Sequence, residues 1–287
     1  LLYVISQGIC ILMKILPIIV LYKCSLSESK SFNSLLTDNC KHDIREVFVY
    51  NNSPEINQVP EEYMGVKIHV VNDYNNSGVS RAYNSGLKVA NKLGYEYVLL
   101  LDQDTLIPDS ALDVYKKYLI KKPSYNLYCP ILRTTKDVIC SPLIYKFHRG
   151  FSVKDFTFGE YDLDKFSPIN SGMLLNVRAA LECGGYNEEV FLDFSDFQFI
   201  ERFRTKNNKF YVIPVVFIQD FSGEDDDYQK LIVRFRLYCQ CAKCCERLDF
   251  KDDLIYFMMV LARAIKLFMK TKKINFLKCF YTNYIRG

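Results

Sequence analysis

Residues Tyr97 to Thr105 read YVLLLDQDT, an apolar run that stops at two aspartates one residue apart. A continuous Val/Leu run bounded by polar residues is the pattern of a parallel strand covered on both faces, and open α/β sheets bind ligands just beyond the carboxyl ends of such strands. Asp102 and Asp104 stand at that edge. On extended backbone their carboxylates turn different ways, but a bend at the strand end brings both to one hard cation and its phosphate ligands. A second group, Asn75 to Gly86 (NNSGVSRAYNSG), runs from a strand end into a helix. Glycines there permit close backbone approach, and a helix N-terminus offers unpaired N–H groups to an anion such as phosphate; an Asn/Gly-rich turn with an ordinary N-cap is the competing reading. The third group, Gly184 to Phe199 (GGYNEEVFLDFSDFQF), sets Asp193 and Asp196 among large apolar residues at an expected helix start. Burial there raises a carboxylate's pKa and fits it to take a proton near neutral pH, although one of the pair suits the plainer role of N-cap.

These residues need a scaffold, and the chain supplies one. Strand-like runs at Ile15 to Leu21, Glu46 to Tyr50, Lys67 to Val71 and Tyr97 to Leu101 alternate with helical patterns at Ser29 to Leu36, Val79 to Leu93 and Asp109 to Lys121. That alternation predicts a parallel sheet with right-handed crossovers. Gly94 is placed to cap the second helix, and Pro108 and Asp109 to open the third. From Tyr128 to about Phe166 the pattern is of short strands and loops. A strand is expected at Ile169 to Val177, a short helix closed by Gly184-Gly185, a helix from Ser195 to about Lys206 and a strand from Phe210 to Ile218. The last sixty residues read as two helices.

The 287 residues are enough for a sizeable core, with 21 Tyr, 21 Phe and no Trp. A net charge of +4 is too small to imply nucleic acid, but from Leu254 to Gly287 there are seven Lys or Arg and no carboxylate, so that end should meet something anionic. The eleven cysteines lack a secreted framework's spacing and read as reduced thiols of a cytoplasmic protein. Cys239, Cys241, Cys244 and Cys245 cluster; zinc is permitted, small buried side chains are the stronger reading. Leu1 to Tyr22 is apolar, but Lys14 and Pro17 interrupt it, and using Ile15 to Leu21 as a strand leaves too little to cross a bilayer.

In series, LPIIVLYK at the first strand, VYNNSP after the second, NNSGVSRAYNSGL, VLLLDQDT, INSGMLL at 169–175 and GGYNEEVFLDFSDFQF resemble glycosyltransferase family 2, within it the rhamnosyltransferase-like branch, over roughly Ile15 to Tyr238. The resemblance implies an α/β fold of the GT-A (Rossmann-like) kind: a mostly parallel sheet flanked by helices over residues 15–225, after an apolar lead-in at 1–14 and before a C-terminal helical appendage at 226–287. It implies inverting transfer of a sugar from a nucleotide-sugar donor to a saccharide or lipid-linked saccharide acceptor in cell-surface polysaccharide or glycolipid synthesis. Asp104 would hold Mg²⁺ or Mn²⁺ on the diphosphate, with Asp102 positioning ribose or metal. Asp196 would be the general base, with Asp193 beside it. Tyr22, Asn51, Asn76 and Asn84 would lie near the nucleotide, and Ser171 and Gly172 near the donor sugar or diphosphate. The family usually has Asp where this chain has Asn51, Glu where it has Gln198, and a His near the metal where it has Gln219. Those departures keep open a weakened nucleotide-sugar binder of the same fold. A phosphohydrolase of the haloacid dehalogenase type is a further alternative; it wants Thr or Val at Leu106 and its Asp-x-Asp on the first strand, whereas three strands precede it here.

From Asp253 to Lys273 the chain is rich in Leu, Ile, Phe and Met, while Arg263, Lys266, Lys270 and Lys273 recur at steps of three, four and three. A basic stripe on an apolar helix suits the interface of an anionic membrane, here the inner face of the plasma membrane; a core-packing helix with a solvated charged edge is the alternative.

Overall fold

A computed structural model describes residues 14–37, 44–220 and 227–286. The apolar lead-in at 1–14, Lys14 apart, lies outside the described residues, as do Phe221, Ser222 and Gly223 beyond Gln219. In chain order the first part comprises β1 (Ile15–Leu21), α1 (Lys30–Leu35), β2 (Glu46–Asn51), β3 (Glu62–Tyr63), β4 (Val66–Asn72), α2 (Val79–Leu93), β5 (Tyr97–Asp102), β6 (Thr105–Leu106) and α3 (Ala111–Lys121). The second comprises β7 (Leu127–Thr134), β8 (Ile139–Ser141), β9 (Leu143–Lys146), β10 (Arg149–Phe151), β11 (Gly159–Asp162), β12 (Phe166–Ser167), β13 (Leu174–Asn176), α4 (Val177–Glu182), α5 (Ser195–Arg204) and β14 (Lys209–Gln219). Helices α6 (Tyr228–Cys244), α7 (Phe250–Thr271) and α8 (Asn275–Phe280) follow, with a π-helical turn at Tyr281–Ile285.

The main sheet runs β11-β14-β7-β13-β5-β1-β2-β4-β3, and the four strands expected from the alternation, β4-β2-β1-β5, pair in parallel. Beyond them antiparallel β13 is wedged between β5 and β7, so the far half of the sheet is mixed. Strands β1 and β5 are buried on both sides because their alternate residues feed two cores. Ile18 and Val98 pack beneath α2 and α5, while Ile19 and Leu99 face α1 and α3. Full burial of each such side chain contributes about 1.5–3 kcal/mol. A third core joins α6, α7 and α8 to Val190 and Phe194, and Cys239, Cys241 and Cys245 are buried within it.

Three expectations are corrected. Only Leu174–Asn176 of the strand expected at Ile169 to Val177 is extended, because Gly172 takes φ 82° and Met173 N–H closes a turn on the Asn170 carbonyl at 2.9 Å. The stretch around Tyr128, expected to hold only short strands and loops because Pro130 interrupts it, begins with an eight-residue strand of the main sheet. The C-terminal helices include a third, α8, which the break at Lys272 (φ 57°) separates from α7.

His148 ties these layers together. It forms the β9–β10 turn with Phe147, both at positive φ, and bonds Glu201 of α5 at 2.8 Å and Asp252 of α7 at 2.9 Å, its ring stacked on Tyr256. Burial alone would lower its pKa, but the hydrogen bonds and charges of Glu201 and then Asp252 outweigh that and raise it. A raised folded-state pKa gives stability that is whole below the unfolded value of about 6.5 and is lost as pH rises through the folded one. We therefore expect thermal stability to fall as pH climbs above about 6.5, and His148→Gln to make that slope shallower, leaving the part due to Asp196. An unchanged slope in the variant would show that His148 does not fasten the helical layer.

Candidate active site

The strand register sets the residues at one edge: Val20 lies opposite Asp102, Leu21 opposite Asn51 and Asn51 opposite Asn72. The carboxyl ends of β1, β2, β4 and β5 therefore present Tyr22, Asn51, Asp73 and the Asp102-Gln103-Asp104 turn side by side. The turn is braced from three sides. The Gln103 side chain takes the Tyr22 N–H at 2.8 Å and returns an N–H to the Tyr22 carbonyl at 3.2 Å. The Gln103 carbonyl accepts the Lys30 N–H at the start of α1, whose ammonium pairs with Asp220 at 2.6 Å. Ser171, buried, accepts the Asp102 N–H and bonds the Thr105 hydroxyl at 2.6 Å.

With the backbone fixed, the carboxylates are crowded. Tyr83 hydroxyl donates to Asp102 Oδ1 at 2.9 Å, and Gln219 Nε2 donates to Asp102 Oδ2 at 3.0 Å and more weakly to Asp104 Oδ1 at 3.4 Å. Burial raises the pKa of Asp102 against those two bonds. Burial, and then the charge of Asp102, push Asp104 up to about 6. Two carboxylates held together with little water are disfavoured as anions, and a divalent cation relieves that repulsion. Gln219 Oε1, beside them, is buried with no hydrogen-bond partner among the described residues. Two carboxylates and an unsatisfied amide oxygen form a donor set that fits a hard cation.

Asp196 lies within electrostatic reach of Asp102. It follows Phe194, whose φ of 70° is uncommon for a bulky residue and is the kind of strain that collects at functional sites. Burial, then the charge of Asp102, push its pKa up to about 7, against the Asn170 N–H that bonds it. A path of contacts joins the two centres: Tyr83 packs on Tyr186 at 5.3 Å, and the Tyr186 hydroxyl donates to Asn170 Oδ1 at 2.6 Å. Asp193 bonds Arg234 of α6 at 2.9 Å, and burial raises its pKa against the pull of Arg234 and Arg263. The structure thus aims Asp193 at the helical layer and leaves Asp196 toward Asp102.

Several residues carry other roles than their patterns predicted. The start of α2 docks on protein: Val79 N–H donates to the Phe191 carbonyl at 2.9 Å and Ser80 Oγ to the Val190 carbonyl at 2.6 Å. Gly78, at φ 91°, is required because a Cβ there would lie 2.2 Å from the Phe191 oxygen. Asn84 gives both amide hydrogens to the Tyr186 carbonyl and Glu188, each at 2.9 Å. Asn51, fully buried, bonds Asn57 and Asn72 and accepts the Ser53 N–H, so its amide fastens the loop after β2. Asn76 is half-buried at φ 50° and Tyr22 is exposed, both at the open edge. Gly172 packs on Pro130 and its carbonyl accepts the Tyr115 hydroxyl, so it shapes the turn beneath the site. Gln198 donates to Glu201 at 2.7 Å, where Glu would set two carboxylates together.

Asp73, Tyr83, Gln103 and Asn170 went unassigned in the sequence. Asp73 accepts the Asn75 and Ser77 N–H groups and the Tyr50 hydroxyl, which outweigh burial and lower its pKa. The signal for Asp73 was present: an Asp at a strand end, two residues before an Asn-Asn-Ser-Gly run, is a turn former that accepts backbone N–H bonds.

The model of the family described as Glycosyl transferase family 2 matches residues 18–166, just over half of the chain. No curated protein matches. Among solved structures, TarS from S. aureus is similar. Its 1–349 segment in complex with UDP-GlcNAc gives a TM-score of 0.58 at 16% identity, covering 94% of this chain and 79% of that one. The same segment in complex with UDP gives 0.54 at 17% identity, covering 88% and 72%. At such identities the likeness concerns the fold.

Proposed function

Since the chain belongs to glycosyl transferase family 2, we propose that it moves a sugar from a nucleotide-diphosphate donor to an acceptor hydroxyl by a single displacement, with Asp196 as base. The acceptor oxygen attacks the anomeric carbon while the bond from that carbon to the diphosphate oxygen breaks, its electron pair leaving with the diphosphate oxygen. The acceptor proton passes to Asp196 Oδ. Displacement from the face opposite the leaving group inverts the anomeric centre, by the geometric logic that separates inverting from retaining glycosidases. Asp104 and Asp102, with Gln219 Oε1, would hold Mg²⁺ or Mn²⁺, which neutralises charge gathering on the departing diphosphate. Tyr22 and Asn76 flank the nucleotide, and Ser171 holds the turn that carries Asp102. Asp193, bonded to Arg234, positions the segment before the base.

The observation that carries this reading is the pairing of two carboxylate centres, Asp102-Asp104 at the strand ends and Asp196 within reach of the Asp102 charge, joined through Tyr83, Tyr186 and Asn170. A phosphohydrolase needs no second centre of this kind, and the family match overturns that alternative. Asn51 favours a second reading, a binder with little turnover, because both its amide hydrogens are engaged locally. A panel of nucleotide sugars assayed with Mn²⁺ for release of nucleoside diphosphate tests the two. UDP sugars come first, since TarS structures hold UDP and UDP-GlcNAc. Release with one donor supports the transferase; binding with no release from any donor refutes it in favour of the binder.

A further inference from the structure

We infer that the outward face of α7 lies on an anionic membrane surface, so that the catalytic residues meet acceptors at the lipid interface; the acceptor part rests on the transferase reading. Tyr256, Met259, Val260 and Ala264 form the buried stripe of α7. Opposite them Leu254, Met258, Ile265 and Met269 are 51%, 53%, 42% and 61% exposed. At about 100° per residue these four fall within an arc of about 60°. A surface helix of a globular protein normally turns a polar side outward, whereas α7 carries apolar residues on its outward side as well as on its buried one.

Charge completes the match. Lys251 and Lys266 are exposed on the borders of the apolar arc. The two carboxylates of α7 point elsewhere, Asp252 to His148 and Asp253 to Arg247, each at 2.9 Å. Arg263, expected on the basic stripe, turns inward over the Tyr238 ring at 4.1 Å, which corrects the stripe read from the sequence. No helix among the described residues is long and apolar enough to cross a membrane. An apolar face bordered by lysines suits a helix lying in the headgroup plane, where each Lys adds about 1 kcal/mol on an anionic bilayer. A two-fold contact with a second copy would set those lysines against their own kind. The face is coupled to the site, because the core under α7 also holds Val190 and Phe194, just before Asp196.

Cosedimentation of the full chain with phosphatidylcholine vesicles, with and without phosphatidylglycerol, tests this. Binding at least about tenfold tighter to the anionic vesicles is expected, with about thirtyfold or greater loss in Lys251→Glu/Lys266→Glu. Met258→Ser/Met269→Ser should also release the chain from vesicles and leave it the same size in solution. Absent or lipid-independent binding overturns the inference, as does a dimer that dissociates on Met258→Ser/Met269→Ser, which would make a second copy the occupant. Donor hydrolysis measured without vesicles separates these outcomes from failure of the transferase reading: both variants should retain it.

Discussion

Asp196→Asn will lower transfer about 10²–10⁴-fold, the usual contribution of a positioned base, while donor affinity stays within about twofold. The amide keeps the size of the side chain and can still meet the Asn170 N–H, so the site keeps its shape. What it loses is the ability to take a proton. Because the ionised form is the working form and its pKa is pushed up to about 7, the wild-type rate should rise with pH toward about 7 and level off above it. A cation on the Asp102 side would offset the charge that raises Asp196 and move this limb lower. Initial rates across pH on wild type and variant check both points. A variant that keeps the wild-type rate would remove Asp196 from its role.

Asp104→Asn acts on the other half. We expect it to weaken Mn²⁺-dependent donor binding about 10²-fold or more, since loss of even a partner behind a metal ligand typically costs 10–100-fold. The fold should not suffer. Asp104 is half-buried next to Asp102, and removing one of two crowded charges relieves repulsion. Calorimetric titration of a donor with and without Mn²⁺, beside a melting curve, separates the two effects. Equal metal dependence in variant and wild type would contradict the assignment of Asp104.

Where burial pattern alone fixes an element, the sequence reads accurately: β1 and α2 end where the apolar period and Gly94 place them. The Asp102-Asp104 turn was legible for the same reason, as polar residues abruptly ending a buried strand. The start of α2 was not. Its Asn, Ser and Gly residues look like an anion cradle locally, and only the fold brings Phe191 and Val190 across more than a hundred residues to cover them. Asn84, expected near the nucleotide, gives its amide hydrogens to Tyr186 and Glu188, partners its local sequence does not reveal. Gln198 looked like a missing carboxylate until Glu201, one helical turn on, accounted for the amide. Asn170 lay inside a stretch read as strand, and only the turn at Gly172 delivers its N–H to Asp196. Apart from Gln198, whose partner lies on its own helix, these cases turn on hydrogen bonds between segments far apart in sequence, which neither composition nor periodicity encodes.

The central claim is a single displacement assisted by Asp196, and the configuration of the sugar released from the donor tests it most directly. Proton NMR of donor turnover, with water as the acceptor and read before the anomers equilibrate, should show first the anomer opposite in configuration to the donor. Appearance of the retained anomer first would contradict the account.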